Sequence, residues 1–180
     1  MIDRLAIVGV GLIGSSLALA LKQAGAVGHV VGCGRSQQNL QKGVELGVID
    51  SYEISISDAV KGADTVVLAV PLGAMQSVFE QIRDVIGDAT VITDVGSAKQ
   101  SVVDIASAML GPRIAQFVPG HPIAGTEKSG VDAGFASLYQ DRRVILTPLD
   151  STDPAAIDKI DAMWRQTGAS VEYLGVEHHD

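Results

Sequence analysis

This sequence predicts an α/β fold with a doubly wound, mostly parallel sheet. Three observations support it. Short apolar runs of strand length alternate with helical patterns along the whole chain, an order that lays strands side by side with helices on both faces. The first run, Leu5-Ala6-Ile7-Val8, is unbroken, as suits a strand covered on both sides. Between that run and a helical stretch from Ile13 to Leu21 lies Gly9-x-Gly11-x-x-Gly14.

Each glycine of this turn has its own task. Gly9 permits the tight turn. Gly11 has no Cβ, so backbone can approach a diphosphate. Gly14 lets the helix pack closely on the strand. The helix N-terminus adds unpaired N–H groups and a partial positive charge. The stretch therefore reads as a dinucleotide site on a Rossmann-type fold. One competing reading is a glycine turn without a ligand. Another is a secretory signal built from Arg4, the apolar stretch and Ala18-Leu19-Ala20. The three spaced glycines and the orderly strand–helix pattern that follows argue against a signal.

Gly25 and Gly28 end the first helix, and His29 to Cys33 is the second strand. A site selective for NAD carries Asp or Glu about 20 residues past the glycines. Here that place holds Gly34, followed by Arg35 and Ser36. No carboxylate repels a 2′-phosphate, and Arg35 and Ser36 can both donate to one. This predicts NADP as the preferred cofactor. NAD remains possible if Arg35 only stacks on adenine. Asn39 to Leu46 reads as a short helix closed by Gly47, Val48-Ile49-Asp50 as a short edge strand, and Ser57 to Val60 as a helical turn. Asp64 to Pro71 is the next buried strand. Its end, Val70-Pro71-Leu72, is expected beside the nicotinamide half of the cofactor. The expected cofactor contacts are Gly9, Gly11, Leu12, Ile13, Gly14, Gly34, Arg35, Ser36, Val70, Pro71, Leu72 and Val95.

Gly73 to Ile86 reads as an amphipathic helix with Met75, Val78, Phe79, Ile82 and Ile86 on its core side. Thr90 to Thr93 is a strand leading into Asp94-Val95-Gly96-Ser97-Ala98-Lys99. Ser97 with Gln100 fits a capping box for the helix that runs on to Gly111-Pro112. After the strand-like Phe117-Val118-Pro119 comes a polar, glycine-punctuated loop from Gly120 to Gly130, the kind of segment where function concentrates. Arg143 to Pro148 is a strand. Asp153-Pro154 caps and opens a helix that Gly168 ends, and Ser170 to Tyr173 is the last strand.

Of the 180 residues, 47% are hydrophobic and 19% charged, enough for a substantial core in a single domain. The net charge of −8 disfavours nucleic-acid and anionic-membrane surfaces. The lone Cys33 excludes an internal disulfide and points to a reducing, cytoplasmic setting. No apolar run is long enough to span a bilayer.

Four segments together resemble the N-terminal nucleotide-binding domain of the prephenate/arogenate (cyclohexadienyl) dehydrogenase family. They are Gly9 to Ser16, Leu68 to Pro71, Asp94 to Lys99, and Gly120 to Gly130, with support from Val144 to Pro148. The first two recur in many Rossmann dehydrogenases; the last two together are specific to this family. The resemblance covers essentially the whole chain. It implies an oxidoreductase of tyrosine and aromatic amino acid biosynthesis that couples hydride transfer from the ring of prephenate or arogenate, onto NADP or NAD, to loss of the ring carboxyl as carbon dioxide. His121 would then accept or polarise the substrate hydroxyl proton, a task that suits an imidazole near neutral pH; otherwise it only caps the turn before Pro122. Ser97 would face the substrate hydroxyl and His121. Thr126, Glu127 and Lys128 would be substrate-proximal, with Lys128 either neutralising a carboxylate or merely solvated. Asp94 is expected to brace its turn.

The family also carries a C-terminal all-helical dimerisation domain that contributes an arginine for a substrate carboxylate. On this reading residues 1–175 form the nucleotide-binding domain with the catalytic loop, and residues 176–180 begin a helical domain absent from this chain. The expectation is a cofactor-binding fragment of a homodimeric enzyme, with apolar surface exposed near Val171 to Val176. The adjacent His178 and His179 are not expected to form a metal site. Two rival readings are a β-hydroxyacid dehydrogenase of the 6-phosphogluconate type, which relies on a lysine on a later helix, and a non-enzymatic NADP-sensing module.

Overall fold

The computed structural model describes residues 1–180. Six strands form a parallel sheet: β1 (Ile2–Val8), β2 (Val27–Cys33), β3 (Ser51–Glu53), β4 (Thr65–Leu68), β5 (Val91–Asp94) and β6 (Phe117–Val118), in the order β3-β2-β1-β4-β5-β6. Register aligns their ends. Val8 pairs with both Cys33 and Leu68, and Leu68 pairs with Asp94. The loops that leave β1, β2, β4 and β5 therefore start from one row. A doubly wound sheet keeps its ligand crevice beside such a row.

Alternation along the strands divides the core. Leu5 and Ile7 of β1 and Val67 of β4 face one cluster; Ala6, Val8, Val66 and Leu68 face the other. On the first side lie α1 (Leu12–Gln23), through Leu17 and Leu21, and α6 (Pro154–Gln166), through Ile160, Met163 and Trp164. Leu40 of α2 (Gln37–Glu45) joins them. On the second side α4 (Met75–Ile82) contributes Met75, Val78, Phe79 and Ile82, and α5 (Lys99–Leu110) contributes Val102, Ala106 and Leu110. Phe79 meets Phe117 edge to face at 5.5 Å. The short α3 (Ile56–Val60) precedes β4. No helix is long and apolar enough to cross a membrane.

Sequence and structure differ at several places. The strands of the last third do not continue the main sheet. β7 (Gly120–Pro122), β8 (Arg143–Leu146) and β9 (Ser170–Tyr173) form a second sheet, with β7 antiparallel to β8 and β8 parallel to β9. The break falls at Pro119, which has no N–H to give a ladder and turns the chain out of the first sheet. Val144 and Leu146 still join the cluster that holds Leu17 and Trp164, so the two sheets share one core. Val48-Ile49-Asp50 is not a strand: both apolar side chains are buried in succession, and β3 begins only at Ser51. The predicted helix from Gly73 opens as a 3₁₀ turn, Leu72–Ala74, and its α-helical part stops at Ile82. His121 lies on β7, paired with Ile145, rather than in a loop. The last helix, α7 (Val176–His179), follows the exposed Tyr173 and Leu174, a matching patch of apolar surface.

Candidate active site

Sterics at the glycine turn leave little choice of residue at two positions. Gly9 has φ +102°, and a Cβ there would run into the Ala69 carbonyl oxygen of the neighbouring β4 loop. A Cβ on Gly14 would strike the Gly9 carbonyl oxygen and Ile7. Gly11 differs: nothing lies within 4 Å of where its Cβ would point. Gly11 is the N-cap of α1 and offers no capping side chain. The amides of Leu12, Ile13 and Gly14 have no hydrogen-bond partner, whereas the next, Ser15 N, already donates to Gly11 O at 2.9 Å. Three unpaired donors at a helix N-terminus, beside a glycine that opens on free space, fit the diphosphate of a dinucleotide.

The space is a cavity of about 900 Å³ lined by Gly9, Gly11, Gly34, Arg35, Ser36, Val70 and Pro71 among the expected cofactor residues. Leu12, Ile13 and Gly14, the first turn of α1, do not line it, and neither do Leu72 and Val95. Val95 packs instead against the core. No aspartate or glutamate lines the cavity. Arg35 is exposed and makes no hydrogen bond or ion pair, so its guanidinium is available to a ligand. Ser36 caps α2, accepting a hydrogen bond from Asn39 N at 3.2 Å. Burial, then the charge of Glu53, pushes the Cys33 thiol up to about 11, so it stays protonated.

Sequence reasoning missed Asn39. Its Nδ2 donates to Val10 O at 2.9 Å and its Oδ1 accepts from Val131 N at 3.2 Å. It thereby ties the glycine turn to the segment carrying Gly130, which also lines the cavity. Its place in the first turn after Arg35-Ser36 was the available signal.

At the end of β5 a second polar centre forms. Asp94 is fully buried and accepts hydrogen bonds from Gly96 N at 3.0 Å, Gly120 N at 3.1 Å and Lys99 Nζ. Lys99, equally buried, also donates to Gly120 O at 2.7 Å. Both main-chain groups of Gly120 are thus held by one ion pair. Burial pushes the Asp94 carboxyl up and the Lys99 ammonium down, each opposed by the other's charge.

The residue after Gly120 is His121, half-buried, with Nδ1 2.8 Å from Nε2 of His179 on α7. His179 Nδ1 lies 2.7 Å from Asp180 Oδ1. The Asp180 carboxylate also accepts from Lys99 N at 3.0 Å and Gln100 N at 2.8 Å, the first amides of α5. This corrects the capping box. Ala98, not Ser97, is the N-cap, so Ser97 falls one residue too early and is exposed, while a carboxylate from the far end of the chain takes its place. Hydrogen bonds from His179 and from those two amides hold Asp180 down to about 2. His121 is held below the usual histidine value by burial first, then by the charges of His179 and Lys99, against the pull of Asp180. Thr126, Glu127 and Lys128 sit on an exposed turn closed by Lys128 N donating to Thr126 Oγ1 at 3.2 Å, and no hydrogen bond or ion pair links them to Ser97 or His121. His179 Nε2 faces His121, and no group of three or more metal-ligating side chains is present.

Known proteins resemble this chain in sequence and fold. Residues 17–173 match the family model described as prephenate dehydrogenase, nucleotide-binding domain. The chain is 38% identical to prephenate dehydrogenase of Bacillus subtilis, over 100% of its own length and 48% of the relative's. It is 40% identical to cyclohexadienyl dehydrogenase of Zymomonas mobilis, over 98% of its length and 60% of the relative's. The chain thus spans about half the length of the curated relatives it matches. The crystal structure of prephenate dehydrogenase from A. aeolicus, in complex with hydroxyphenyl propionate and NAD+, superposes with a TM-score of 0.92 at 35% identity, covering 99% of this chain and 62% of that one. With the family model matched over residues 17–173, this chain belongs to the family of prephenate dehydrogenase nucleotide-binding domains.

Proposed function

We propose that the complete protein carries out NAD(P)-dependent oxidative decarboxylation of prephenate, arogenate or both, in the route to tyrosine, with NADP preferred over NAD. The observation that carries the reading is the fixed position of His121, one residue beyond a Gly120 clamped by Asp94 and Lys99 at the end of the strand row that borders the cavity. The names of the relatives point the same way.

A bound nicotinamide dinucleotide would supply the hydride acceptor. The chain's own groups do the rest. The free amides of Leu12, Ile13 and Gly14 bind the diphosphate, and Arg35 pairs with a 2′-phosphate. His121, kept neutral by its partly buried setting, accepts the hydrogen bond of the substrate hydroxyl and draws its proton as the carbon beneath is oxidised. The ring carboxyl leaves as carbon dioxide, and aromatisation drives the step. Ser97 and the turn carrying Thr126, Glu127 and Lys128 supply polar groups toward the substrate. The exposed Tyr173 and Leu174 fit a surface covered in a homodimer of the complete protein.

The test is the complete gene product assayed with prephenate, arogenate and a 3-hydroxyacid, each with NADP and NAD, following reduced nicotinamide by absorbance. Turnover of either cyclohexadiene, faster with NADP, is the expected result. Turnover of the 3-hydroxyacid alone would replace this reading with that of a β-hydroxyacid dehydrogenase. Cofactor binding without turnover of any of the three would point to a sensing module.

A further inference from the structure

We infer that His179 and Asp180 are positioning residues for His121: the Asp180 carboxylate keeps the proton of His179 on Nδ1, and this makes His121 carry its own proton on Nδ1 and present a bare Nε2 as the base. The argument is a count of donors and acceptors along three groups. Asp180 accepts two main-chain N–H groups of α5 at 3.0 and 2.8 Å, and an ionised carboxylate is acceptor-only. Its 2.7 Å contact with His179 Nδ1 therefore needs a proton on that nitrogen. A neutral imidazole protonated on Nδ1 has a lone pair on Nε2. The 2.8 Å contact between His179 Nε2 and His121 Nδ1 then closes as a hydrogen bond only if His121 donates. With both rings neutral, one tautomer of His121 remains, and its free nitrogen is Nε2. The rings meet edge to face, with centroids 5.0 Å apart, so the contact runs between ring edges rather than through a stack.

The chain of bonds also supplies what a base needs while it holds a proton. When Nε2 takes the substrate proton, His121 becomes a cation whose Nδ1–H already points at a lone pair, with a carboxylate behind that ring. The charged groups that bear on His121 are Asp180 from the C-terminal segment, which favours the imidazolium, and Lys99 from α5, which disfavours it, as a protonated His179 would. Asp180 has a second duty as the cap of α5, the helix that begins with Lys99. The same carboxylate therefore sets both the proton position on the base and the start of the helix that clamps Gly120.

This inference rests on the reading of His121 as the base, so the experiment has one readout that does not depend on the reaction. The chain has four histidines, few enough for nitrogen-15 NMR to assign the proton of each imidazole. Wild type is expected to show His121 protonated on Nδ1. In Asp180→Asn the amide can donate to His179 Nδ1, which reverses both rings and moves the His121 proton to Nε2. In His179→Phe the preference for Nδ1 is lost. In His179→Gln the side-chain carbonyl can still accept from His121 Nδ1, and the tautomer is kept. In the complete gene product, kcat is expected to fall about 100-fold in D180N and H179F, the lower end of what a positioned base contributes, and to recover in H179Q. Affinity for NADP, unchanged throughout, reports an intact fold. A wild-type His121 protonated on Nε2, or a tautomer indifferent to D180N and H179F, would overturn the inference. So would a reversed tautomer with undiminished turnover. If the tautomers change as expected while the complete protein oxidises neither cyclohexadiene, the reaction assignment fails and the proton-placement claim stands.

Discussion

Replacing Lys99 by methionine removes the cation that shares a dry site with Asp94. Both side chains have no solvent exposure. The carboxylate would keep the Gly96 and Gly120 amides as donors but lose its only counter-ion within the site. Gly120 O would lose its donor as well. Removing one partner of a buried ion pair costs about 3–5 kcal/mol. For a chain of this size each kcal/mol moves the melting temperature by about 2–4 °C, so Lys99→Met should lower it by roughly 6–20 °C near neutral pH. The loss has a pH signature. Burial already raises the folded-state pKa of Asp94 above its unfolded value, and without Lys99 the rise becomes larger. A carboxyl with a raised folded pKa binds more protons folded than unfolded, so its contribution weakens as pH climbs through that interval. The deficit of Lys99→Met relative to wild type should therefore be largest at neutral pH and shrink on acidification. Adding Asp94→Asn removes the stranded charge and should restore part of the stability. Thermal melts followed by circular dichroism at several pH values measure all three proteins. A Lys99→Met chain within 1 °C of wild type at neutral pH, or a double variant less stable than the single one, would refute the role given to the pair.

Other expectations concern the cofactor and the base. Arg35→Ala should weaken NADP about 10-fold, the lower end for an exposed charge-assisted contact, and leave NAD unchanged; calorimetric titration of both cofactors decides it, and equal losses would refute the 2′-phosphate assignment. Gly11→Ala should fold normally, because its Cβ meets only open space, yet bind either dinucleotide poorly. Gly9→Ala should instead lose stability, since its backbone sits at φ +102° against the Ala69 carbonyl; a melt and a titration on each separate the two effects. His121→Asn in the complete protein should keep cofactor affinity and lose about 10²- to 10⁴-fold in kcat. With His121 below its ordinary value of 6.5, and active only when neutral, the acid limb of kcat/KM should have its midpoint below that pH; a midpoint above it would count against His121 as the base.

What could be read from the sequence was governed by short-range sterics. The three glycines act within a few residues of themselves or against one adjacent strand end, and the structure shows the close packing at Gly9 and Gly14 and open space beside Gly11. The place of Arg35 at the cavity was legible because it lies two residues past the end of β2. The cap of α5 was not legible, because its acceptor lies 81 residues away along the chain. A local serine–glutamine pair imitated the signal, and only the helix starting one residue later exposed the imitation. The strand character of His121 depends on β8, more than twenty residues on, so its own neighbourhood of glycine and polar residues read as a loop. Pro119 was a usable clue to the second sheet, since a residue without an N–H does not sit inside a ladder. Asn39 shows the remaining limit. Its two bonds reach Val10 and Val131, both distant in sequence, so its position after Arg35-Ser36 hinted at the cavity but not at the tie it makes.

The clamp on Gly120 has a mechanical consequence. One carboxylate holds its amide and one ammonium holds its carbonyl, and both of these side chains belong to the main sheet and the helix that follows it. The smaller sheet is therefore riveted to the larger one at the residue preceding the imidazole. A movement of one sheet against the other would have to break both bonds, so a hinge between the sheets is expected away from Gly120.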